Sequence, residues 1–416
     1  MTVAAVLVLL GLVATLVLAG VLLVPASRPP APRTDQLAAL AELPPEAVER
    51  GRALRAALRL PGYGSLLLGL GVALLLGLTP AGARLVDAVA RPFGGHWLAA
   101  AVLGGLAVLL AGQLVTLPLA AWRHTVLVRH GLATQGWDGW AVDLLKGYAV
   151  TVLLGAVTLA GFFTVTRLFP RWWWAVGAAG AAGLVGLLSF GFPVLVEPIF
   201  HRFTPMEPGP LRNELIAMAQ RDRVPVRDVL VADASRRTRA VNAYVSGIGP
   251  TRRIVVYDTL LAEASPAEVT SVVAHELGHA RHRDVAAGTL LGALAAAAAV
   301  VAVYLLGSWD GLLRAAGVGS IGQPQAVALL LAVVLLAGLV SGPAQALVSR
   351  QIEARADGHA LALTGDPATF AAMQARLAAV NRSDPDPPRW EYLLAASHPS
   401  TVERIAAARA WQRGQR

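Results

Sequence analysis

Seven long stretches with almost no charged side chains limit this chain to folds that cross a lipid bilayer. They cover about residues 3–24, 64–83, 97–121, 147–167, 172–195, 286–307 and 325–348. At a rise of about 1.5 Å per residue, helices of this length cross, or nearly cross, a hydrocarbon core of about 30 Å. Composition agrees, because 56% of the residues are hydrophobic and only 15% are charged. We therefore predict a mainly α-helical, polytopic membrane protein with about seven transmembrane helices.

The positive charges alternate between the segments that join these stretches. Segment 25–63 carries six arginines, and the loop after the third stretch carries Arg123, Arg129 and Lys146. Four arginines are shared among the intervening loops, which are 84–96, 168–171 and 308–324. The positive-inside rule then predicts an N-terminus outside and a C-terminus in the cytoplasm. This explains the net charge of +9 better than a nucleic-acid partner does, since no compact basic patch with interleaved aromatics occurs.

The first stretch has no Lys or Arg before its apolar run. We interpret it as an uncleaved anchor, and a signal peptide is the alternative. Tryptophans near the ends of the stretches, Trp97, Trp172, Trp173, Trp174 and Trp309, are typical of interfacial anchors.

We predict two domains. Residues 1–199 form an N-terminal membrane domain with five transmembrane helices, and residues 200–416 form a zincin-like α+β metalloprotease domain that includes the last two. Within its polar part, the residue pattern predicts a helix over 211–221 and strands at 229–231, 243–245 and 254–256. A further helix begins after Ser265, because Pro266 and Glu268 complete the pattern of a capping box.

That helix leads into His275-Glu276-Leu277-Gly278-His279. Residues four apart lie on one face of a helix, so the two imidazoles can bind one zinc ion. Glu276 is turned away from the ligand position and is placed to act as general base on a water molecule. The chain has no cysteine, so any transition-metal site must use His and carboxylates.

A catalytic zinc site has three protein ligands, and Glu353 is our prediction for the third. The chain crosses the membrane twice between His279 and Glu353, so both return to the same side. Asp357, one turn after Glu353, can accept a hydrogen bond from the outer N–H of a ligand histidine. His398 and Arg404 follow as an imidazole and a cation that could stabilise an oxyanion. His282, Asp284 and His359 fit an outer shell or the surface better than ligand positions.

The sequence resembles a known family, the type I CAAX prenyl proteases and their bacterial relatives. The segments that carry the resemblance are 197–205, 241–247, 253–260, the motif at 275–279, Glu353 with Asp357, and 397–404. The resemblance implies seven membrane helices around a chamber, one zinc ion per chain held by His275, His279 and Glu353, and active-site roles for His398 and Arg404. It also implies a bacterial plasma-membrane protein with a cytoplasmic active site.

The resemblance further implies that a strand formed by Asn242, Ala243, Tyr244, Val245 and Ser246 pairs with the substrate backbone. One segment departs from the family, because 280–284 is closer to shorter heat-shock membrane proteases of the same superfamily. The substrate is a peptide or protein, free or membrane-associated. Two roles stay open, which are defined CAAX-type processing and quality control of membrane proteins.

The sequence thus predicts a membrane zinc metalloendopeptidase, with the lipid bilayer as a partner and no nucleic acid. A transporter or membrane scaffold is the non-enzyme alternative. It is disfavoured because the seven stretches are nearly free of the ionisable residues that transport pathways use. Cobalt and manganese have ligand preferences similar to those of zinc, so the sequence does not distinguish among these metals.

Overall fold

The structure is a computed structural model that describes residues 2–24, 30–247 and 249–415. Its α-helices, in chain order, are α1 Thr2–Leu23, α2 Arg33–Glu42, α3 Pro45–Gly77, α4 Pro80–Ala90, α5 Trp97–Ala99, α6 Gly105–Arg129, α7 Trp137–Leu168, α8 Trp173–Leu195, α9 Glu197–Phe200, α10 Pro210–Arg221, α11 Asp258–Glu263, α12 Pro266–His282, α13 Asp284–Leu306, α14 Asp310–Ala316, α15 Val327–Thr364, α16 Pro367–Val380, α17 Arg389–Ala395 and α18 Thr401–Gln415. The strands are β1 Phe203–Pro205, β2 Asp228–Ala232, β3 Ala243–Ser246 and β4 Arg253–Tyr257.

The predicted fold class is confirmed, because seven helices in the described part of the chain are long and apolar enough to cross a membrane. Several run well beyond the predicted limits. The last one continues through Thr364 as one helix of 38 residues, sixteen residues past the predicted end at 348. The helix that continues out of the membrane therefore carries Glu353 and Asp357 itself.

The second predicted stretch, 64–83, ends too late. Helix α3 starts at Pro45 and ends at Gly77, so arginines that were assigned to a loop lie on its first turns. Thr79 accepts a hydrogen bond from the Ala81 N–H and Pro80 takes the first helical position, so α4 begins as a separate helix. Hydropathy alone could not separate these two apolar helices.

Six of the long helices form a ring. Helix α13 packs against α8, α8 against α7, α7 against α6, α6 against α3, α3 against α15, and α15 back against α13, while α1 packs against α13. The middle of α15, residues 333–345, contains no buried residue. A helix that lies between neighbours and is still open on its other faces fits an arrangement with an unfilled interior, as the family resemblance implies.

The ring is closed by apolar packing at one end. There the start of α15 meets α4, the end of α7 and the start of α8, and Phe163 and Val327 are fully buried. Trp173 and Trp174 belong to this cluster and pack on Tyr304, so the prediction that they are interfacial anchors is wrong. Trp172 and Trp309 remain largely exposed.

The polar domain holds a four-stranded sheet in the order β1-β2-β4-β3. Strands β2 and β4 are parallel, and β1 and β3 flank them in antiparallel pairs. The three strands and the helix over 211–221 predicted from the sequence are present, the last as α10. A core that includes Leu215, Ile254, Leu277 and Phe370 joins the sheet to α10, α12 and α16.

Helix α12 begins as predicted, with a capping box between Ser265 and Glu268. It ends where Arg283 adopts a left-handed conformation with φ of 59°. The chain turns there and continues as α13, so the motif helix and a membrane helix meet at a single residue. Helix α12 also packs along α15, which brings the motif beside Glu353.

Candidate active site

Three side chains predicted as metal ligands converge between α12 and α15. Nε2 of His275 lies 3.2 Å from Nε2 of His279 and 3.2 Å from Oε2 of Glu353. Nε2 of His279 lies 3.6 Å from Oε1 of Glu353. Tetrahedral ligands at about 2.0–2.1 Å from one ion are themselves about 3.3 Å apart. The two nitrogens and the Glu353 carboxylate are thus spaced as ligands of a single metal ion.

Helical geometry produces this arrangement. His275 and His279 are four residues apart on α12, and their rings approach edge to face with centroids 4.8 Å apart. Glu353 is buried, and its Oε2 is a buried oxygen without a hydrogen-bond donor among the described residues. A buried carboxylate oxygen normally has a partner, and a cation in this position supplies one.

Each imidazole is held from behind by an aspartate. Nδ1 of His275 lies 2.8 Å from Oδ1 of Asp357, and Nδ1 of His279 lies 2.8 Å from Oδ2 of Asp284. A proton on each Nδ1 can be donated to its carboxylate, which leaves the lone pair of Nε2 directed at the shared point. This fixes both rings in the tautomer that binds metal.

Each aspartate is in turn held by an arginine. Arg404 of α18 makes a two-pronged contact with Asp357, with Nε 2.8 Å from Oδ2. Arg355 of α15 contacts Asp284 and also donates to the Leu23 carbonyl at 3.2 Å. Burial alone raises the pKa of Asp357, but the charge of Arg404 outweighs it and holds this pKa below its usual value, so the buried carboxylate stays charged.

The electrostatics of the site favour a cation. Burial by itself lowers the pKa of His275, but the Asp357 and Glu353 carboxylates beside it outweigh burial and raise this pKa to about 9. The same negative charge stabilises a metal cation, which displaces the proton from Nε2 when it binds. Burial raises the pKa of Glu276, because charging a desolvated carboxyl group is costly. A carboxylate with a raised pKa is a better proton acceptor.

The remaining predicted site residues surround this centre. Glu276 follows His275 on α12 and is partly exposed. Nε2 of His398 lies 3.4 Å from Oε1 of Glu353, and its side chain is 59% exposed. Nη2 of Arg404 lies 3.4 Å from Nδ1 of His275, but its main contact is with Asp357. His359, by contrast, pairs with Asp222 at 3.0 Å, away from the ligand atoms.

The predicted substrate strand is present at the sheet edge. Residues 243–246 form β3, which pairs with β4 on one side and with no strand on the other in the described part of the chain. Asn242 precedes it and is exposed, while Tyr244 and Val245 are partly exposed. Helix α12 packs against β3.

The sequence did not predict that Asp284 pairs with His279 or that Arg355 pairs with Asp284. Asp284 lies five residues after His279, and only the left-handed residue at Arg283 turns it back toward the ring. A helical pattern carried through 283 would place it elsewhere. No sequence signal we know marks Arg355 as its partner.

A centre of two imidazoles and a carboxylate on a seven-helix fold defines a membrane-embedded metalloprotease. Comparison with known families agrees. The family model described as peptidase family M48 matches residues 205–412, and the model described as CAAX prenyl protease N-terminal, five membrane helices, matches residues 65–202. The chain belongs to peptidase family M48 and is a CAAX prenyl protease-like metalloendopeptidase that acts on peptide substrates.

Individual relatives give the same result. A CAAX prenyl protease 1 homolog of Arabidopsis thaliana is 30% identical, over 72% of this chain and 71% of the relative. An uncharacterized metalloprotease, YhfN, of Bacillus subtilis is 28% identical over the same shares. The crystal structure of S. mikatae Ste24p superposes with a TM-score of 0.75 at 21% identity, covering 97% of this chain and 98% of that one. The last comparison shows that the fold is shared.

Proposed function

We propose that this protein is a zinc endopeptidase whose metal is held by His275, His279 and Glu353. The carrying observation is the convergence of three side chains of types that zinc binds, with Nε2 of His275 and Nε2 of His279 3.2 Å apart and each 3.2–3.6 Å from an oxygen of Glu353. Two nitrogens and one carboxylate oxygen make a donor set that suits zinc and leaves a fourth position open. When bound, zinc polarises the scissile carbonyl and lowers the pKa of a water molecule toward about 7.

Glu276 is the general base in this proposal. It follows a ligand histidine directly on α12, and burial raises its pKa. Its carboxylate takes a proton from the attacking water and then delivers it to the leaving amine nitrogen. The partly exposed position lets it reach both groups.

His398 and Arg404 have different tasks. His398 is exposed beside Glu353, so its imidazole can donate to the oxyanion that forms on the substrate. Arg404 is committed to Asp357, and we assign it to positioning Asp357 and thus His275. It adds positive charge near the oxyanion without contacting the substrate.

The substrate is an extended peptide that adds to β3 through backbone hydrogen bonds, with Asn242 offering its side chain. An unpaired edge beside the motif helix supports this role. We assign the protein to a bacterial plasma membrane, and the alternating loop charges support an active site on the cytoplasmic side.

We favour CAAX-type processing of defined substrates, since several relatives carry that name. Quality control of membrane proteins is the second candidate, favoured by residues 280–284. A panel of matched peptides with and without a prenyl group separates the two. Preference for the prenylated member supports processing, and equal cleavage supports quality control.

The direct test is Glu276→Gln in purified protein. We expect the variant to keep one zinc per chain by metal analysis, because Glu276 is not a ligand. Peptide hydrolysis falls by several orders of magnitude, since the proton acceptor is lost. The exposed Glu214→Gln on α10 is the matched control and keeps full activity.

Cleavage of casein or a model peptide by Glu276→Gln at the wild-type rate would overturn the assignment of the base. A variant that loses zinc as well as activity would show that Glu276 helps to hold the metal, which contradicts its placement here.

A further inference from the structure

The register of β3 shows which of its backbone groups can meet a substrate. The Tyr257 N–H donates to the Asn242 carbonyl at 3.0 Å, and these residues lie opposite each other in the antiparallel register. Hydrogen-bonded and non-hydrogen-bonded pairs alternate along such a ladder. The backbone groups of Ala243 and Val245 therefore point away from β4, toward the open edge of the sheet.

The segment before β3 is already hydrogen-bonded to another part of the same chain. The Arg239 N–H donates to the Leu132 carbonyl at 2.9 Å, and the Thr134 N–H donates to the Arg237 carbonyl at 3.1 Å. Ala133 and Thr238 form an antiparallel bridge between them. The loop between α6 and α7 thus covers residues 237–239, so no peptide can pair there.

Asn381 covers the next position. Its Oδ1 accepts from the Val241 N–H at 2.8 Å, and its Nδ2 donates to the Val241 carbonyl at 3.2 Å. These are the two bonds that a residue of a neighbouring strand would make. The Asn381 N–H is bonded to the Leu377 carbonyl at the end of α16, which anchors the side chain.

Only a short part of the edge remains. Among the described residues, no backbone group pairs with the outward N–H or carbonyl of Ala243 or Val245. Val245 is partly exposed, whereas Ala243 is 2% exposed, so a peptide pairs with Ala243 only after the side chains that cover it have moved aside. At the other end the chain turns at Gly247, whose φ is 92°.

We infer that Asn381 is a specificity-determining end stop, which limits peptide pairing on this edge to Ala243 and Val245. The inference rests on the proposed use of β3 for substrate. A peptide is then held by its backbone over at most two alternate residues, and it must leave the sheet before Val241. Asn381 achieves this by imitating the amide group of a strand.

A backbone N-methyl scan of a peptide that wild type cleaves tests the end stop. Each member lacks one N–H, and kcat/KM is measured for every position. Wild type should lose activity at no more than two residues, spaced two apart, by roughly 2- to 10-fold each. In Asn381→Ala the freed backbone of Val241 should make a third residue sensitive, two further along.

The controls separate three failures. Three or more alternate sensitive positions in wild type, or none, would overturn the inference whether or not the variant folds. An Asn381→Ala protein that is slower on all peptides, with the same sensitive positions, would show that Asn381 is only structural. The exposed Asn213→Ala should leave the pattern unchanged. Absence of hydrolysis of any peptide by zinc-loaded wild type would instead count against the proposed function.

Discussion

The two ends of α15 are both buried, but by opposite means. At its start, Val327 and Leu329 pack in the apolar cluster that closes the helix ring. Near its other end, Arg350, Glu353 and Asp357 are buried, and Arg350 and Asp357 are held by hydrogen bonds and charges. One continuous helix thus has an apolar, packed end and a polar end that carries the candidate active-site residues.

The apolar end of α15 contributes mainly to stability, and the polar end mainly to activity. Apolar packing loses free energy gradually when atoms are removed, because neighbours relax partly into the space. A buried charge that loses its partner is costly at once and disturbs the groups it orients. We therefore expect variants at the apolar end to change unfolding, and variants at the polar end to change metal content and rate.

The largest effect is expected for Glu353→Gln. The amide is a weaker ligand than the carboxylate, so we expect substoichiometric zinc and hydrolysis reduced by several orders of magnitude. Metal analysis and kcat/KM on a model peptide measure both, with the exposed Glu263→Gln as control. Full zinc content with normal turnover would remove Glu353 from the ligand set, and the polar end of α15 would then have no role in metal binding.

The next effect concerns the two aspartates behind the histidines. Asp357→Asn and Asp284→Asn should each lower zinc affinity or activity by roughly 10- to 100-fold, as outer partners of ligand histidines do. Asp357→Asn should be the more severe, because it also leaves Arg404 buried without its charge partner.

Chelator competition and kcat/KM provide the readouts for both variants. Asp310→Asn, at an exposed site on α14, is the matched control. The contrary outcome is that Asp284→Asn leaves zinc affinity and activity unchanged while Asp357→Asn lowers them. In that case Arg355 and Asp284 serve to hold the end of α1, through the Leu23 carbonyl, and do not support the metal centre.

Much of the polar end could be predicted from the sequence. The spacing of His275 and His279 needs only helical geometry, and counting membrane crossings places Glu353 on the same side of the membrane as this pair. The capping box at Ser265 is a local signal as well. Each of these depends either on contacts between residues close in the sequence or on whether the number of membrane crossings is odd or even. A single sequence is enough to predict both.

The rest depends on contacts that no local pattern encodes. The turn of Asp284 toward His279 requires a left-handed residue at Arg283, which is unusual for arginine. Asn381 meets Val241 across 140 residues. The burial of Trp173 beside Tyr304 follows from how helices pack, whereas its position in the sequence suggested the membrane interface.

At the apolar end, Phe163→Ala should lower stability with little effect on chemistry. Phe163 is fully buried and packs edge to face on Phe162, with centroids 5.1 Å apart. The loss of packing should cost roughly 3 kcal/mol and lower the Tm in detergent. Zinc content and kcat/KM of the folded protein should stay at the wild-type level. A rate loss without a Tm change would reverse the proposed division between the ends.

The smallest effect is expected between the two ends, at Val340 of α15. Its side chain is 80% exposed in a helix that has neighbours in the ring. Val340→Ala therefore removes few contacts, and the change in stability should stay within about 0.5 kcal/mol with unchanged kcat/KM. A loss of Tm as large as that of Phe163→Ala would mean that the middle of α15 is packed. That result would contradict the exposure of residues 333–345, which is the observation behind an unfilled ring interior.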